Sequence, residues 1–158
     1  MAITVGDKAP LFTLFETRDH TISLQDYAAK KNVLLLFFPL AFTSTCTKEL
    51  CCVRDDIGKY NNESTEVIGI SVDSVYTLKK YKEEQHFNYS LISDFNREVS
   101  EKYETIYDSF TPMGMKGVSK RSAFIIDKKG IVQYAEVLDN AGEIPDFAQI
   151  DKILAELQ

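Results

Sequence analysis

The run Val33-Leu34-Leu35-Leu36-Phe37-Phe38 constrains this chain more than any other segment. It lacks the alternation of a half-exposed strand, so it reads as a β-strand buried on both faces. Such a strand lies inside a sheet that must be covered on both sides. Val67-Ile68-Gly69-Ile70-Ser71-Val72 reads as a second buried strand. A helix is expected between them from about Ser44 to Lys59, and another from a cap at Asp73 or Ser74 to about His86. Glu98 to Tyr103 reads as a short helix. Ala123-Phe124-Ile125-Ile126 and Ile131-Val132-Gln133-Tyr134 flank Asp127-Lys128-Lys129-Gly130, a hairpin turn with glycine where positive φ is needed. The last helix begins near Pro145-Asp146 and carries Phe147, Ile150, Leu154 and Leu157 on one face. The segment before Val33 reads as a small amino-terminal hairpin. The order βαβα, then an antiparallel hairpin, then a helix predicts an α/β fold with a mixed central sheet flanked by helices.

Composition narrows what such a fold can do. A chain of 158 residues fits one domain, residues 1–158. A net charge of -6 lacks the basic footprint of a nucleic-acid binder. The apolar run from Val33 is too short to span a membrane. The amino-terminal residues show no basic start followed by an apolar stretch, so the expected location is cytoplasmic, where thiols are kept reduced. His20 and His86 are isolated and read as surface residues, and no phosphate-cradling glycine loop is present. No cofactor and no metal are expected.

The three cysteines, Cys46, Cys51 and Cys52, all lie in one short segment. That pattern is no secreted disulfide framework and points to thiol chemistry at one place. On the helix that follows Phe38, Cys46, Leu50, Val53 and Ile57 fall within about 60° of one another. Cys46 therefore sits on the core-facing stripe, as a small buried hydrophobe would. It also lies in the first helical turn, where unpaired amides and the helix dipole favour a thiolate. Thr43, three residues upstream, has the spacing of an N-cap whose hydroxyl could reach the Cys46 amide. Residues five apart on a helix have Cα atoms about 8.6 Å apart, and residues six apart about 9.8 Å. A disulfide needs less than about 7 Å. Neither Cys51 nor Cys52 can therefore bond to Cys46 unless the first turns unwind.

Pro39-Leu40-Ala41-Phe42-Thr43-Ser44-Thr45-Cys46 matches the P-x-x-x-T-x-x-C signature of the peroxiredoxins. Glu49 fits their acidic residue three places on, and Arg121-Ser122-Ala123-Phe124 resembles their arginine at the head of a strand. Gly6-Asp7-Lys8-Ala9-Pro10 is similar to their amino-terminal segment, so the resemblance spans nearly the whole chain. The flanking wording is similar to the alkyl hydroperoxide reductase E group, and the Cys-x4-Cys spacing to the bacterioferritin-comigratory-protein group. The resemblance implies a thioredoxin-like fold and a thiol peroxidase acting on hydrogen peroxide and organic hydroperoxides. It implies Cys46 as the peroxidatic nucleophile and Arg121 as donor to thiolate and peroxide. It implies Thr43 as the hydroxyl that engages peroxide, Pro39 as a shield of the sulfur and Glu49 as the residue that orients the arginine. Cys51 matches the resolving cysteine, with Cys52 a substitute or bystander, and an external thiol can take that role instead. The implied partners are a peroxide and a thioredoxin-like or low-molecular-weight thiol reductant, with a homodimer as a possible assembly.

Other readings stay open on the residues alone. Met113-Gly114-Met115-Lys116-Gly117 can be a plain loop, a substrate mouth or a dimer contact. A disulfide oxidoreductase would carry Cys-x-x-Cys, which is absent. A thiol-based metal-binding or redox chaperone meets a geometric difficulty, because the cysteines point to different sides of one helix. A holdase is a third reading that composition leaves open.

Overall fold

The computed structural model describes residues 3–157. Its seven strands, β1 (Thr13–Thr17), β2 (His20–Ser23), β3 (Asn32–Phe37), β4 (Thr65–Ser71), β5 (Ser90–Ser93), β6 (Ser122–Ile126) and β7 (Val132–Val137), form one sheet in the order β2-β1-β5-β4-β3-β6-β7. The central strand β3 (Asn32–Phe37) is buried along its whole length and runs parallel to β4 (Thr65–Ser71) and antiparallel to β6 (Ser122–Ile126). The period of two divides β3 between two cores. Leu34, Leu36 and Phe38 pack with α1 (Ser44–Asp55), α3 (Val75–Gln85) and α5 (Phe147–Glu156). Val33, Leu35 and Phe37 pack with α4 (Glu98–Lys102) and the amino-terminal segment through Ala9, Phe12 and Val99. The expected mixed sheet with helices on both faces is present, with most of the helical mass on one side.

The amino-terminal hairpin is β1 (Thr13–Thr17) with β2 (His20–Ser23). It is not a separate feature, because β1 pairs with β5 (Ser90–Ser93) and extends the main sheet. Strand β5 escapes a reading by pattern: only four residues long, it has one buried apolar pair, Leu91-Ile92, between serines. The helix expected from Ser44 to Lys59 is two helices. It breaks at Asp56, whose φ of -116° and ψ of 32° leave the helical region, and α2 (Ile57–Tyr60) follows. Strand β4 begins and ends slightly earlier than its apolar run implies. Ser74 is the cap of α3, accepting from the Thr77 amide. The hairpin between β6 and β7 (Val132–Val137) turns on Gly130 at φ 82°, with Asp127 Oδ1 accepting from the Lys129 and Ile131 amides. Asp146 caps α5 by accepting from the Gln149 amide, and Ile150 and Leu154 carry its buried stripe.

Candidate active site

The site lies where β3 ends. Pro39 is buried just past the strand, and the chain then turns through Ala41 and Phe42 into α1. Phe42 takes a left-handed conformation, φ 67°, that non-glycine residues seldom adopt. Thr43 stands at the N-cap with extended backbone, yet its hydroxyl does not cap the helix. It donates instead to the Leu40 carbonyl at 2.8 Å and closes the turn on itself. The expected bond to the Cys46 amide is therefore not made.

Cys46 is fully buried in the first turn of α1, on the same stripe as Leu50 and Val53. It does not pack as a hydrophobe alone. Arg121, brought alongside by the antiparallel pairing of β6 with β3, donates from Nη2 to Cys46 Sγ at 3.2 Å. Nη1 of Arg121 donates to Glu49 Oε1 at 2.7 Å. Glu49 lies one helical turn after Cys46, so both face the same guanidinium. The third hold on Arg121 is the Ala141 carbonyl, which accepts from Nε at 3.1 Å and from Nη2 at 3.0 Å. Three acceptors thus fix the plane of the fork.

A fully buried carboxyl and guanidinium need strong partners to remain charged. Burial pushes the Glu49 carboxyl up from 4.5 to about 7, against the pull of Arg121, and Glu136 adds to the rise. Among the described residues Glu49 Oε2 finds no hydrogen-bond partner, which fits that loss of solvation. For Arg121 burial favours the neutral form, but the Cys46 and Glu49 charges outweigh it and raise its pKa.

A cleft of about 600 Å³ opens onto Arg121 and the Thr43-Ser44-Thr45 stretch. Its far wall includes Tyr107, Phe110, Met113 and Met115. The segment expected as a plain loop, mouth or dimer contact is a tight turn. Phe110 and Met115 bond through both backbone groups, and the Phe110 ring stacks on Tyr107 at 5.8 Å. Cys51 lies elsewhere on α1, half-buried, its thiol directed at Gln85 Oε1 at 3.7 Å. Burial raises the Cys51 pKa, partly offset by Arg54. Cys52 is exposed, and all three cysteines are free.

The fold therefore brings Cys46, Glu49, Arg121 and Thr43 together with Pro39 beside them, and leaves Cys51 apart. Sequence reasoning missed the Ala141 carbonyl and Tyr107. The only available cue to Ala141 was the turn-rich wording Asp139-Asn140-Ala141-Gly142. His20 and His86 are both exposed. Among the described residues no cluster of three or more His, Cys, Asp or Glu is placed to hold a metal ion, and nothing favours the metal-binding alternative. No helix among them is long and apolar enough to cross a membrane.

A cysteine that opens a helix, lies buried on the core stripe and yet is gripped by a fixed cation is built to react. On a thioredoxin-like sheet this defines a thiol oxidoreductase. The model of the AhpC/TSA family matches residues 5–135. Alkyl hydroperoxide reductase E of Mycobacterium bovis is 35% identical over 146 residues, which cover 91% of this chain and 91% of the relative. The chloroplastic 2-cysteine peroxiredoxin of Chattonella marina var. antiqua is 37% identical over 147 residues, 87% of this chain and 72% of the relative. The crystal structure of peroxidoxin BcpB from Mycobacterium tuberculosis is similar with a TM-score of 0.81 at 28% identity, covering 98% of this chain and 96% of that one. The chain belongs to the AhpC/TSA family, the peroxiredoxins, which are thiol-dependent peroxidases.

Proposed function

We propose that Cys46 is the peroxidatic nucleophile and that Arg121 is its electrostatic partner. The observation that carries the reading is the 3.2 Å contact to buried Cys46 Sγ from Nη2 of Arg121, a residue that lines the cleft. The Cys46 thiolate attacks one peroxide oxygen. The S–O bond forms, the O–O bond breaks, and the other oxygen leaves as alkoxide or hydroxide and takes a proton. Cys46 is left as sulfenic acid. Negative charge moves from sulfur to the leaving oxygen, so a donor held in place across both positions lowers the barrier.

Arg121 suits that task. Among the described residues its four hydrogen bonds use Nε–H, both Nη2–H and one Nη1–H, which leaves one Nη1–H for a substrate oxygen. Thr43 Oγ1 already donates to Leu40, so it engages peroxide as an acceptor of the peroxide O–H. The unpaired amides of the first turn of α1 face the same charge. Pro39 shields the sulfur, and Glu49 holds the arginine fork. Apolar Leu40, Phe110, Met113 and Met115 along the cleft favour organic hydroperoxides as well as hydrogen peroxide.

Cys51 is the proposed resolving cysteine. Its thiol condenses with the Cys46 sulfenic acid to a disulfide and water, and a thioredoxin-like or small thiol then reopens the bond by exchange. That cycle belongs in a compartment that keeps thiols reduced, for which we propose the cytoplasm. Exposed Phe42 and Met113 next to the cleft support a homodimer as the working assembly.

The test is single-turnover oxidation of the reduced protein by one equivalent of hydroperoxide, with the cysteines trapped and mapped by mass spectrometry. Rapid oxidation at Cys46, lost in Cys46→Ser, is expected. A Cys46 that stays reduced overturns the assignment.

A further inference from the structure

We infer that Asp73 is a positioning residue for the peroxide-binding turn. The inference rests on the reading of Cys46 as the reacting thiol. The turn from Leu40 to Thr43 is held in an unfavourable shape, with Phe42 left-handed at φ 67°. A residue stays in that region only when its surroundings over-determine it. Within the turn itself, the Thr43 hydroxyl supplies one hold on the Leu40 carbonyl. The Phe42 ring lies on Tyr81 of α3, centroids 4.8 Å apart, but Phe42 is half-exposed and its ring leaves the backbone free to relax.

The Thr47 amide and hydroxyl hold the Thr43 carbonyl from α1, at 3.0 and 2.8 Å, and a further hold, on the residue before Phe42, comes from another part of the chain. Asp73, just past the end of β4, accepts from the Ala41 amide at 2.8 Å through Oδ2. The same oxygen accepts from Ser71 Oγ at 2.6 Å. Asp73 is itself locked in place: its amide donates to Ser71 Oγ at 3.2 Å, and its carbonyl accepts from Ser93 Oγ at 2.6 Å. Strands β4 and β5, which carry Ser71 and Ser93, therefore anchor one carboxylate oxygen against the backbone immediately before the left-handed residue. From there the path to the reacting atoms is short and stiff. Thr43 follows two residues after Ala41, and Cys46 one helical turn later. Without Asp73 the Ala41 amide loses its acceptor, Phe42 is free to leave φ 67°, and Thr43 and the first turn of α1 shift against Arg121.

Both donors converge on a single oxygen, so the clamp needs an acceptor at that point and not a charge. Asparagine offers one and alanine none. The test compares Asp73→Ala and Asp73→Asn by amide hydrogen exchange at Ala41 and across residues 43–46, and by the rate of Cys46 oxidation. Asp73→Ala should exchange at Ala41 about tenfold faster or more and oxidise Cys46 about tenfold more slowly. Asp73→Asn should restore both. Native protection of Ala41 in Asp73→Ala overturns the inference, as does an Asp73→Asn variant as impaired as the alanine variant. If Asp73→Ala does not fold, the Ala41 amide of the native chain decides: slow exchange supports the clamp, and exchange at the rate of an open loop overturns it. Failure of native Cys46 to react with peroxide would sink the peroxidase assignment and leave the exchange comparison to judge the clamp alone.

Discussion

Arg121 Nη2 and Cys46 Sγ meet at 3.2 Å although 75 positions separate the two residues in the chain. The contact depends on the register of β3 with β6, in which Phe37 lies opposite Ser122 and so brings the residue before Ser122 level with the end of β3. One guanidinium then serves the thiol, the Glu49 carboxylate and the Ala141 carbonyl at once.

That shared fork predicts the effect of Arg121→Lys. Lysine keeps the positive charge but offers a point charge on a flexible stem in place of a planar fork. It cannot hold three acceptors in one plane. The second-order rate constant for Cys46 oxidation should fall by about 10²-fold, the loss typical of removing an aligned donor. Stopped-flow oxidation with hydrogen peroxide measures it, and a lysine variant within a factor of about three of the native rate would mean that charge alone suffices.

Glu49 predicts a pH dependence of stability. Its carboxyl titrates near 4.5 when solvated and is pushed up to about 7 by burial in the fold. The folded state therefore binds more protons than the unfolded state between those values. This group's contribution to stability is fully present below about 4.5 and is lost as pH rises through about 7. Urea unfolding from pH 4 to 9 should show that decline in the native protein, and Glu49→Gln should flatten it. An equally steep decline in the glutamine variant would assign the effect to other groups.

Much of this arrangement is legible in the residues. The unbroken apolar run at Val33 places a central strand, and the signature from Pro39 to Cys46 sits where that strand ends and a helix begins. What fails is whatever depends on tertiary geometry. Strand β5 is too short and too polar at its ends to show a period, and it forms because β4 and β1 flank it. Thr43 has the spacing of a cap, but the left-handed Phe42 turns its hydroxyl back to Leu40. Local spacing cannot register that. The Ala141 carbonyl is a backbone group, invisible to any reading of side chains, and only the fold brings it to Arg121. α1 ends early at the adjacent pair Asp55 and Asp56, both poor helix formers.

Gly69 predicts a packing limit on the sheet. A Cβ there would stand 2.6 Å from Leu91 Cδ2 and 3.3 Å from Phe38 Cε1, both in the core under α1. Leu91 is buried in that core, so its side-chain end can give way only by pushing on close-packed neighbours. Gly69→Ala should destabilise the fold by about 1–3 kcal/mol, the range for overpacking a close-packed core. Thermal or urea unfolding measures it. Because Phe38 adjoins Pro39 at the entry to the site, the same variant should also slow Cys46 oxidation.

Cys51 and Cys52 predict different outcomes of oxidation. Both lie on α1 with Cys46, and at five residues' separation the helix holds Cα atoms about 8.6 Å apart, beyond the reach of about 7 Å that a disulfide allows. Cys46 also faces the core while the Cys51 thiol points at Gln85 on α3. A bond between them requires the first turns of α1 to unwind and Cys51 to leave Gln85. Oxidation by one equivalent of peroxide should therefore lower the far-ultraviolet helical signal as the bond forms. In Cys51→Ser the signal should persist and Cys46 should be trapped as sulfenic acid by a nucleophilic probe. Cys52→Ser should behave as the native chain, since Cys52 is exposed and one residue further along the helix. If Cys51→Ser loses helix on oxidation as the native chain does, or if the native chain forms no internal disulfide, an external thiol resolves Cys46 and Cys51 is only a helix residue.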